Sequence, residues 1–234
     1  MMDLNALMEL DRQLLLAVNG SSSLFMDGLV KTLTTATTWI PLYASLLYVV
    51  IKNNDSLKKV MLIVVCTALC VVLAGSVDDM LVKPLVARLR PTHDPLIGMS
   101  VDVVNGYRGG SFGFFSAHAS NTFSIAIFFS LLIRNKILSV SLIGWSLVNC
   151  WTRMYLGVHF PGDILCGLLW GGVVGYFCWL IHCTVSRRLF SPNKYISTEY
   201  TATGYLVRDI DVIIAVLMLT FFYALLRACL FLYS

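Results

Sequence analysis

The sequence predicts an all-α fold, a polytopic membrane bundle of about six transmembrane helices with an N-terminal amphipathic helix. Three observations lead to this prediction. Of the 234 residues, 58% are hydrophobic and only 13% are charged. The apolar residues form long stretches that approach the roughly 20 residues a helix needs to cross a bilayer. The basic residues between these stretches fall in short loops, as in membrane proteins.

The first predicted element is an interfacial helix over residues 1–22. Leucine and methionine recur there at helical spacing among polar residues, which is typical of a helix lying on a membrane surface. A soluble cap on the bundle fits the pattern equally well. The recurring apolar residues are Leu4, Leu7, Met8, Leu14 and Leu15.

Six apolar stretches are the candidate spans. Threonines dilute the first of them and Pro41 interrupts it, which neighbouring helices can tolerate by covering the free backbone groups. We also expect the second span to break at Lys83, because the residue before Pro84 avoids helical angles. The spans are Leu33–Ile51, Val60–Val82, His118–Ile133, Ile137–Tyr155, Ile164–Thr184 and Ile210–Tyr233.

The loops predict an orientation and a single domain. Lysines and arginines concentrate between spans one and two, three and four, and five and six, so these loops are expected to be cytoplasmic. Residues 83–117 and 156–163 then face outward. With no repeat or long linker in the sequence, residues 1–234 form one predicted domain with its core at 60–185 and an additional transmembrane helix at 208–233.

The first polar cluster lies at the outer end of span two and reads Lys83-x6-Arg90-Pro91. Residues seven apart on a helix share a face, so the two cations can bind one anion. Basic residues that reach for lipid headgroups would give the same pattern. Asp78 and Asp79 precede the cluster and need partners at the membrane edge, for which Lys83 and Arg153 are candidates.

The second cluster is Ser116-Ala117-His118, after a glycine-rich loop. Ser116 is a predicted helix N-cap, and the free N–H groups of a helix start favour a bound phosphate. An interfacial structural histidine is the alternative for His118.

The third cluster joins spans four and five and reads Arg153-x5-His159-x3-Asp163. The spacing places Asp163 where it can accept a hydrogen bond from one nitrogen of His159, which leaves the other nitrogen free to attack. A simple N-cap is the alternative for Asp163, and an interfacial anchor for Arg153.

Together and in this order, the three motifs resemble those of the type 2 phosphatidic acid phosphatase family, which shares its site with vanadium haloperoxidases. The resemblance covers about residues 60–185. One departure is Ala117, where the family usually has glycine.

The resemblance implies a role for each matching residue. His159 is the nucleophile that forms a phosphohistidine, Asp163 orients it, and His118 is the general acid and base. The phosphate ligands that it implies are Lys83, Arg90, Arg153, Ser116 and the N–H of Ala117. No metal or other cofactor is expected, and no nucleic-acid partner. Three further residues, His93, Arg88 and Arg108, are interpreted as solvated loop residues. The alternatives are that His93 contacts the substrate and that Arg88 and Arg108 contact a second phosphate or a sugar phosphate.

The predicted function is therefore a metal-independent phosphatase of a membrane lipid, in a bacterial inner membrane with its site facing the periplasm. An envelope lipid, undecaprenyl pyrophosphate or lipid A, is favoured over phosphatidylglycerol phosphate or phosphatidic acid. A lipid transporter or flippase, and a peroxidase that uses bound vanadate, are the alternatives. The sequence leaves the oligomeric state open.

Overall fold

This computed structural model describes residues 4–190 and 198–232. Apart from two isolated β-bridges, the regular structure of these residues is helical, which confirms the all-α prediction. The first three residues of the predicted interfacial helix, and Tyr233 at the end of the sixth span, lie outside the described residues. The α-helices are α1 (Leu4–Val18), α2 (Leu24–Thr34), α3 (Ile40–Lys52), α4 (Leu57–Val71), α5 (Lys83–Val86), α6 (Ala117–Ile133), α7 (Lys136–Tyr155), α8 (Pro161–Leu189) and α9 (Val207–Phe231).

Within the described residues, three continuous helical segments are long and apolar enough to cross a membrane: Leu57–Val86, Pro161–Leu189 and Val207–Phe231. The bent pair formed by α2 and Ala36–Lys52 is a fourth if it counts as one span. Helix α6 is apolar but has only 17 residues. The chain is therefore an integral membrane protein with three to four spans by this measure, and six spans remain a prediction.

The bundle has two ends, and the chain runs back and forth between them in α3, in α4 with α5, and in each of α6 to α9. Helix α2 lies at one end, beside the C-terminus of α7. One end, which we call the site end, holds the C-termini of α5 and α7 and the N-termini of α6 and α8. The other, the opposite end, holds the loops after α3 and α6. The chain passes through the site end at Lys83, Ser116 and His159, so residues distant in sequence meet there.

The bend between α2 and α3 lies inside the first predicted span and measures 66°. Thr35 is extended there, which leaves carbonyl groups of α2 without helical partners. Side chains bind them instead: the Trp39 indole donates to Leu33 O at 2.8 Å and the Thr38 hydroxyl donates to Thr32 O at 2.7 Å. Threonine side chains, which lower the mean hydropathy of this stretch, thus stabilise the bend between α2 and α3.

The predicted break of span two at Lys83 is wrong. The helix continues through Pro84 to Val86 and ends at Ala87, which has a left-handed φ of 49°. Two π-helical stretches, Val72–Ser76 and Asp78–Val82, precede the proline. We attribute the continuity to them, because a wider turn relieves the contact between a proline ring and the preceding turn.

Helices α6 and α8 pack closely through small residues. A Cβ atom at Gly167 would lie 2.8 Å from Ser116 O, one at Gly171 2.5 Å from Ser120 O, and one at Gly175 2.5 Å from Ser124 O. Small residues every fourth position let membrane helices approach each other. This contact holds the start of α6, with Ser116 and His118, beside the start of α8, with Asp163.

Candidate active site

Arg90 lies in the loop after α5 and points to the start of the α7–α8 connection. Its Nε donates to Phe112 O at 3.1 Å, and its Nη1 donates to Val158 O at 3.2 Å and lies 3.4 Å from His159 Nε2. The glycine-rich loop closes over the guanidinium, since a Cβ at Gly109 would lie 2.9 Å from Arg90 Nη1. Gly109 also has a φ of +68°, which favours glycine. Gly109 is therefore the loop glycine that favours this close approach.

Arg153 lies in the last turn of α7 and is only 3% exposed. Its Nη1 donates to Thr34 Oγ1 at 2.7 Å and its Nη2 to the Tyr107 hydroxyl at 3.3 Å. Among the described residues, no carboxylate lies within 4.0 Å of the Arg90 or Arg153 guanidinium. Arg153 is buried and Arg90 is half-buried, and cations that lack a counter-ion in such surroundings favour the binding of an anion.

The positive charge of this region affects the pKa values of two loop residues, Arg90 and Tyr107. Burial and the charge of Arg153 lower the pKa of Arg90. Burial alone would raise the pKa of Tyr107, but the hydrogen bond from Arg153 and the charges of Arg153 and Arg90 outweigh it, so the net pKa is lowered. Both shifts indicate a local potential that attracts negative charge.

His159 is 2% exposed and lies just before α8. Its Nε2 faces Arg90, while its Nδ1 lies 3.7 Å from Asp163 Oδ2. Burial, opposed by Asp163 and reinforced by the charges of Arg90 and Arg153, lowers the pKa of His159 to about 4. The imidazole is therefore neutral at neutral pH, which is the form that the predicted role of nucleophile requires.

The hydrogen bond expected between His159 and Asp163 is absent at 3.7 Å. The Asp163 carboxylate is engaged elsewhere, since Oδ2 accepts from the Phe160 N–H at 2.9 Å and Oδ1 from Arg88 Nη1 at 2.8 Å. The first of these bonds caps the start of α8, so the N-cap alternative for Asp163 holds in part. Catalytic hydrogen bonds are often long before substrate binds.

Ser116 is the N-cap of α6, as predicted, and its Oγ accepts from the Ala119 N–H at 3.5 Å. Its own N–H donates to Asp163 O at 3.2 Å, which joins the two helix starts. Ala117 and His118 follow in the first turn, where N–H groups have no helical acceptor. His118 lies in the first turn of α6, near enough to Arg153, His159, Arg90 and Lys83 for their charges to act on it.

Lys83 is the phosphate-ligand candidate that already has carboxylate partners. Its Nζ lies 2.8 Å from Asp78 Oδ2 and 2.5 Å from Asp79 Oδ1. Of the two partners predicted for these aspartates, Lys83 is the one observed. An ammonium group has three donors, so one remains for a bound anion.

Sequence reasoning missed several residues of this region. The interpretation of Arg88 as a solvated loop residue is wrong, because its guanidinium pairs with Asp163 and Asp11 and lies 4.2 Å from the centroid of the Phe160 ring. Tyr107 and Thr34, which bind Arg153, were not among the candidates either. Their partners are 46 and 119 residues away, so no local pattern indicates them.

Comparisons with known proteins show the family of this chain. A sequence model described as the PAP2 superfamily matches residues 59–187. A lipid A 4'-phosphatase of Bacteroides thetaiotaomicron is 40% identical over 80% of this chain and 83% of its own. A second lipid A 4'-phosphatase, from Porphyromonas gingivalis, is 33% identical over 78% of this chain and 77% of its own.

The fold is also similar to a solved structure, described as the first transmembrane PAP2 type phosphatidylglycerolphosphate phosphatase from Bacillus subtilis. The TM-score is 0.58 at 17% identity, over 81% of this chain and 90% of that one. The resemblance predicted from the three motifs is thus confirmed by a family match over more than half of the sequence. The chain is a membrane phosphatase that belongs to the PAP2 superfamily.

Proposed function

We propose that the protein removes a phosphate from lipid A, without a metal ion, through a phosphohistidine at His159. The observation that carries the chemistry is the pair of buried Arg153 and half-buried Arg90, which lack a carboxylate partner among the described residues and lie near a neutral histidine. The substrate follows from the two lipid A 4'-phosphatases that are 40% and 33% identical to this chain.

In this mechanism, Arg90, Arg153 and the third donor of Lys83 bind the phosphate oxygens, with the Ala117 N–H and the Ser116 N-cap at the start of α6. His159 Nε2 attacks phosphorus and the bond to the lipid oxygen breaks, while His118 donates a proton to that oxygen. His118 then takes a proton from a water molecule, which attacks the phosphohistidine and releases phosphate. Asp163 offsets the positive charge that develops on His159.

The proposal also includes the position of the helices and of the site relative to the membrane. The lipid chains stay in the bilayer beside the apolar helices, and the head group enters the site end. We propose that α2 with α3, α4 with α5, and each of α6 to α9 cross the membrane, giving six spans with the site end at the periplasmic face of the inner membrane. Helix α1 lies at the interface, with Leu7, Leu10 and Leu14 exposed on it.

The test is a panel of lipid phosphates given to the purified protein in detergent with a chelator present. Lipid A, undecaprenyl pyrophosphate, phosphatidylglycerol phosphate and phosphatidic acid are compared by phosphate release, and mass spectrometry identifies the position that loses phosphate. We expect lipid A to be the best substrate. His159→Ala should lower turnover at least about 100-fold, as removal of a nucleophile does.

His182→Ala is the matched control, since this histidine also lies in the bundle, in contact with Phe128 rather than with the site. Its turnover should stay near that of the wild type. Turnover that requires a metal, or an active His159→Ala variant, contradicts the mechanism. Release of no phosphate from any lipid favours the transporter alternative, and preference for phosphatidylglycerol phosphate contradicts the substrate.

A further inference from the structure

Asp11 connects helix α1 to the first turn of α8 and to Arg88 in the loop after α5. Its Oδ1 accepts from the Gly162 N–H at 2.7 Å, and its Oδ2 accepts from Arg88 Nη2 at 2.5 Å. The side chain of Asp11 is only 13% exposed. Asp11 and Gly162 are 151 residues apart, and Asp11 lies outside residues 59–187, which match the family.

Arg88 connects this contact to the site. It divides its charge between two carboxylates, Asp11 and the fully buried Asp163. The Phe160 ring fixes the plane of the guanidinium from one side. Asp163 in turn faces Nδ1 of His159. If Asp11 lost its charge, Arg88 would bind Asp163 alone and weaken its effect on His159.

Helix α1 has further anchors that do not involve Asp11. Arg12 Nε donates to Asp94 Oδ2 at 3.2 Å, and Asn19 accepts from the Asp102 N–H at 2.7 Å. Leu15 is fully buried and packs with Val101 and Phe160. The helix therefore stays docked when one charge is removed, so the role of Asp11 can be separated from the docking of α1.

We propose that Asp11 is a positioning residue for catalysis: through Arg88 and the first turn of α8 it holds Asp163 in line with Nδ1 of His159. This inference rests on the proposed nucleophilic role of His159. It extends the functional unit beyond the region that carries the family motifs. A helix at the membrane interface thereby becomes part of the catalytic apparatus.

The experiment compares Asp11→Asn with Glu9→Gln and Asp11→Glu in the full-length protein. Asp11→Asn keeps the shape and removes the charge that faces Arg88. Glu9 lies on the same helix with a side chain that is 56% exposed, which makes it the matched control. Kinetics use whichever lipid phosphate the wild type hydrolyses fastest, and thermal unfolding in detergent reports the fold.

For Asp11→Asn we expect kcat to fall roughly 10-fold, within the range of coupling between residues of one charge network. KM should change less than about 2-fold, because Asp11 does not touch the groups that bind phosphate. Asp11→Glu should recover part of the loss, and Glu9→Gln should match the wild type. A kcat for Asp11→Asn equal to that of Glu9→Gln overturns the proposal, as does a loss explained by KM or by unfolding alone.

A second readout is independent of turnover. The chain has four histidines, so nitrogen NMR of labelled histidine can follow the His159 imidazole, with the His159→Ala variant as its assignment. Asp163 opposes the lowering of the His159 pKa, so a weakened Asp163 should move its titration to lower pH in Asp11→Asn. An unchanged titration overturns the proposal even if no lipid is hydrolysed, whereas failure of the proposed function appears as a wild type that releases no phosphate.

Discussion

The basic side chains at the two ends of the bundle differ in their burial and in their partners. At the site end, Arg153 is 3% exposed and binds only hydroxyl groups among the described residues. At the opposite end, the side chain of Lys52 is 50% exposed and pairs with Asp209 at 2.9 Å. Lys59 likewise pairs with Asp55 at 2.8 Å. Burying an arginine without a counter-ion is costly, so its presence indicates an anion that arrives with the substrate.

A cavity alone does not distinguish the ends. The opposite end has a cavity of about 1150 Å³, whose lining includes Lys52, Asp55, Lys59 and Asp209. Its lysines and aspartates neutralise one another in pairs. The lining also includes Arg134 and Arg187, but both of these arginines are exposed. What identifies the site end is therefore the buried, uncompensated charge of Arg153 near His159, and not the size of an opening.

The largest effect should come from removing one of these buried charges. Arg153→Ala should lower kcat/KM by roughly 100- to 1000-fold, as loss of one group that stabilises a transition-state anion does. Lys52→Ala should change kcat/KM less than about 3-fold, because Lys52 pairs with Asp209 at the opposite end, and effects of distant residues that share no partner are nearly independent. Steady-state kinetics on the same lipid phosphate measure both. Similar losses in the two variants would mean that the two ends do not differ in function.

Much of the site end could be predicted from the sequence. Lys83, Arg90, Ser116, His118, Arg153 and His159 each lie at a helix end or in an adjoining loop, and the alternation of spans brings such ends together. The N-cap role of Ser116 is likewise a local property of the chain. The family match agrees with the motifs that these residues form.

What could not be predicted depends on contacts between distant residues. Arg88 pairs with residues 77 and 75 positions away, so its neighbours in sequence give no sign of its role. The distance between His159 and Asp163 depends on how that arginine competes for the carboxylate. One readable signal was missed: Gly167, Gly171 and Gly175 recur every fourth position, as in closely packed membrane helices.

Substitution of these glycines should have a smaller effect. Because Gly167 and Gly175 lie on the same helix, α8, comparing them tests the site end against the rest of the bundle. A methyl group at Gly167 or Gly175 would meet backbone oxygens of α6, so both alanine variants should lose about 1–3 kcal/mol of stability. Only Gly167→Ala should also lower activity below the unfolding temperature, because it displaces Ser116. Thermal unfolding and kinetics check both.

Gly144 in α7 provides the control for these variants. A Cβ there would meet nothing within 4 Å, so Gly144→Ala should be neutral or stabilise the helix by up to about 1 kcal/mol. If Gly175→Ala impairs turnover as much as Gly167→Ala, the α6–α8 contact acts on the whole bundle and not on the site end.

The smallest predicted effect concerns pH. In the proposed mechanism His159 must be neutral to attack, and burial together with the charges of Arg90 and Arg153 lowers its pKa from 6.5 to about 4. The base form therefore persists as the pH falls through 6.5, and the acid limb of kcat/KM due to the free enzyme should lie near pH 4. The pH profile of kcat/KM is measured from about pH 4 to about pH 8. The substrate phosphate also ionises in this range, with a second pKa of about 6, so its ionisation is determined separately by phosphorus NMR. An acid limb that remains near pH 6.5 after this correction would mean that His159 is solvated in the working enzyme. The contrast between buried, uncompensated charge at the site end and exposed lysines at the opposite end would then not hold.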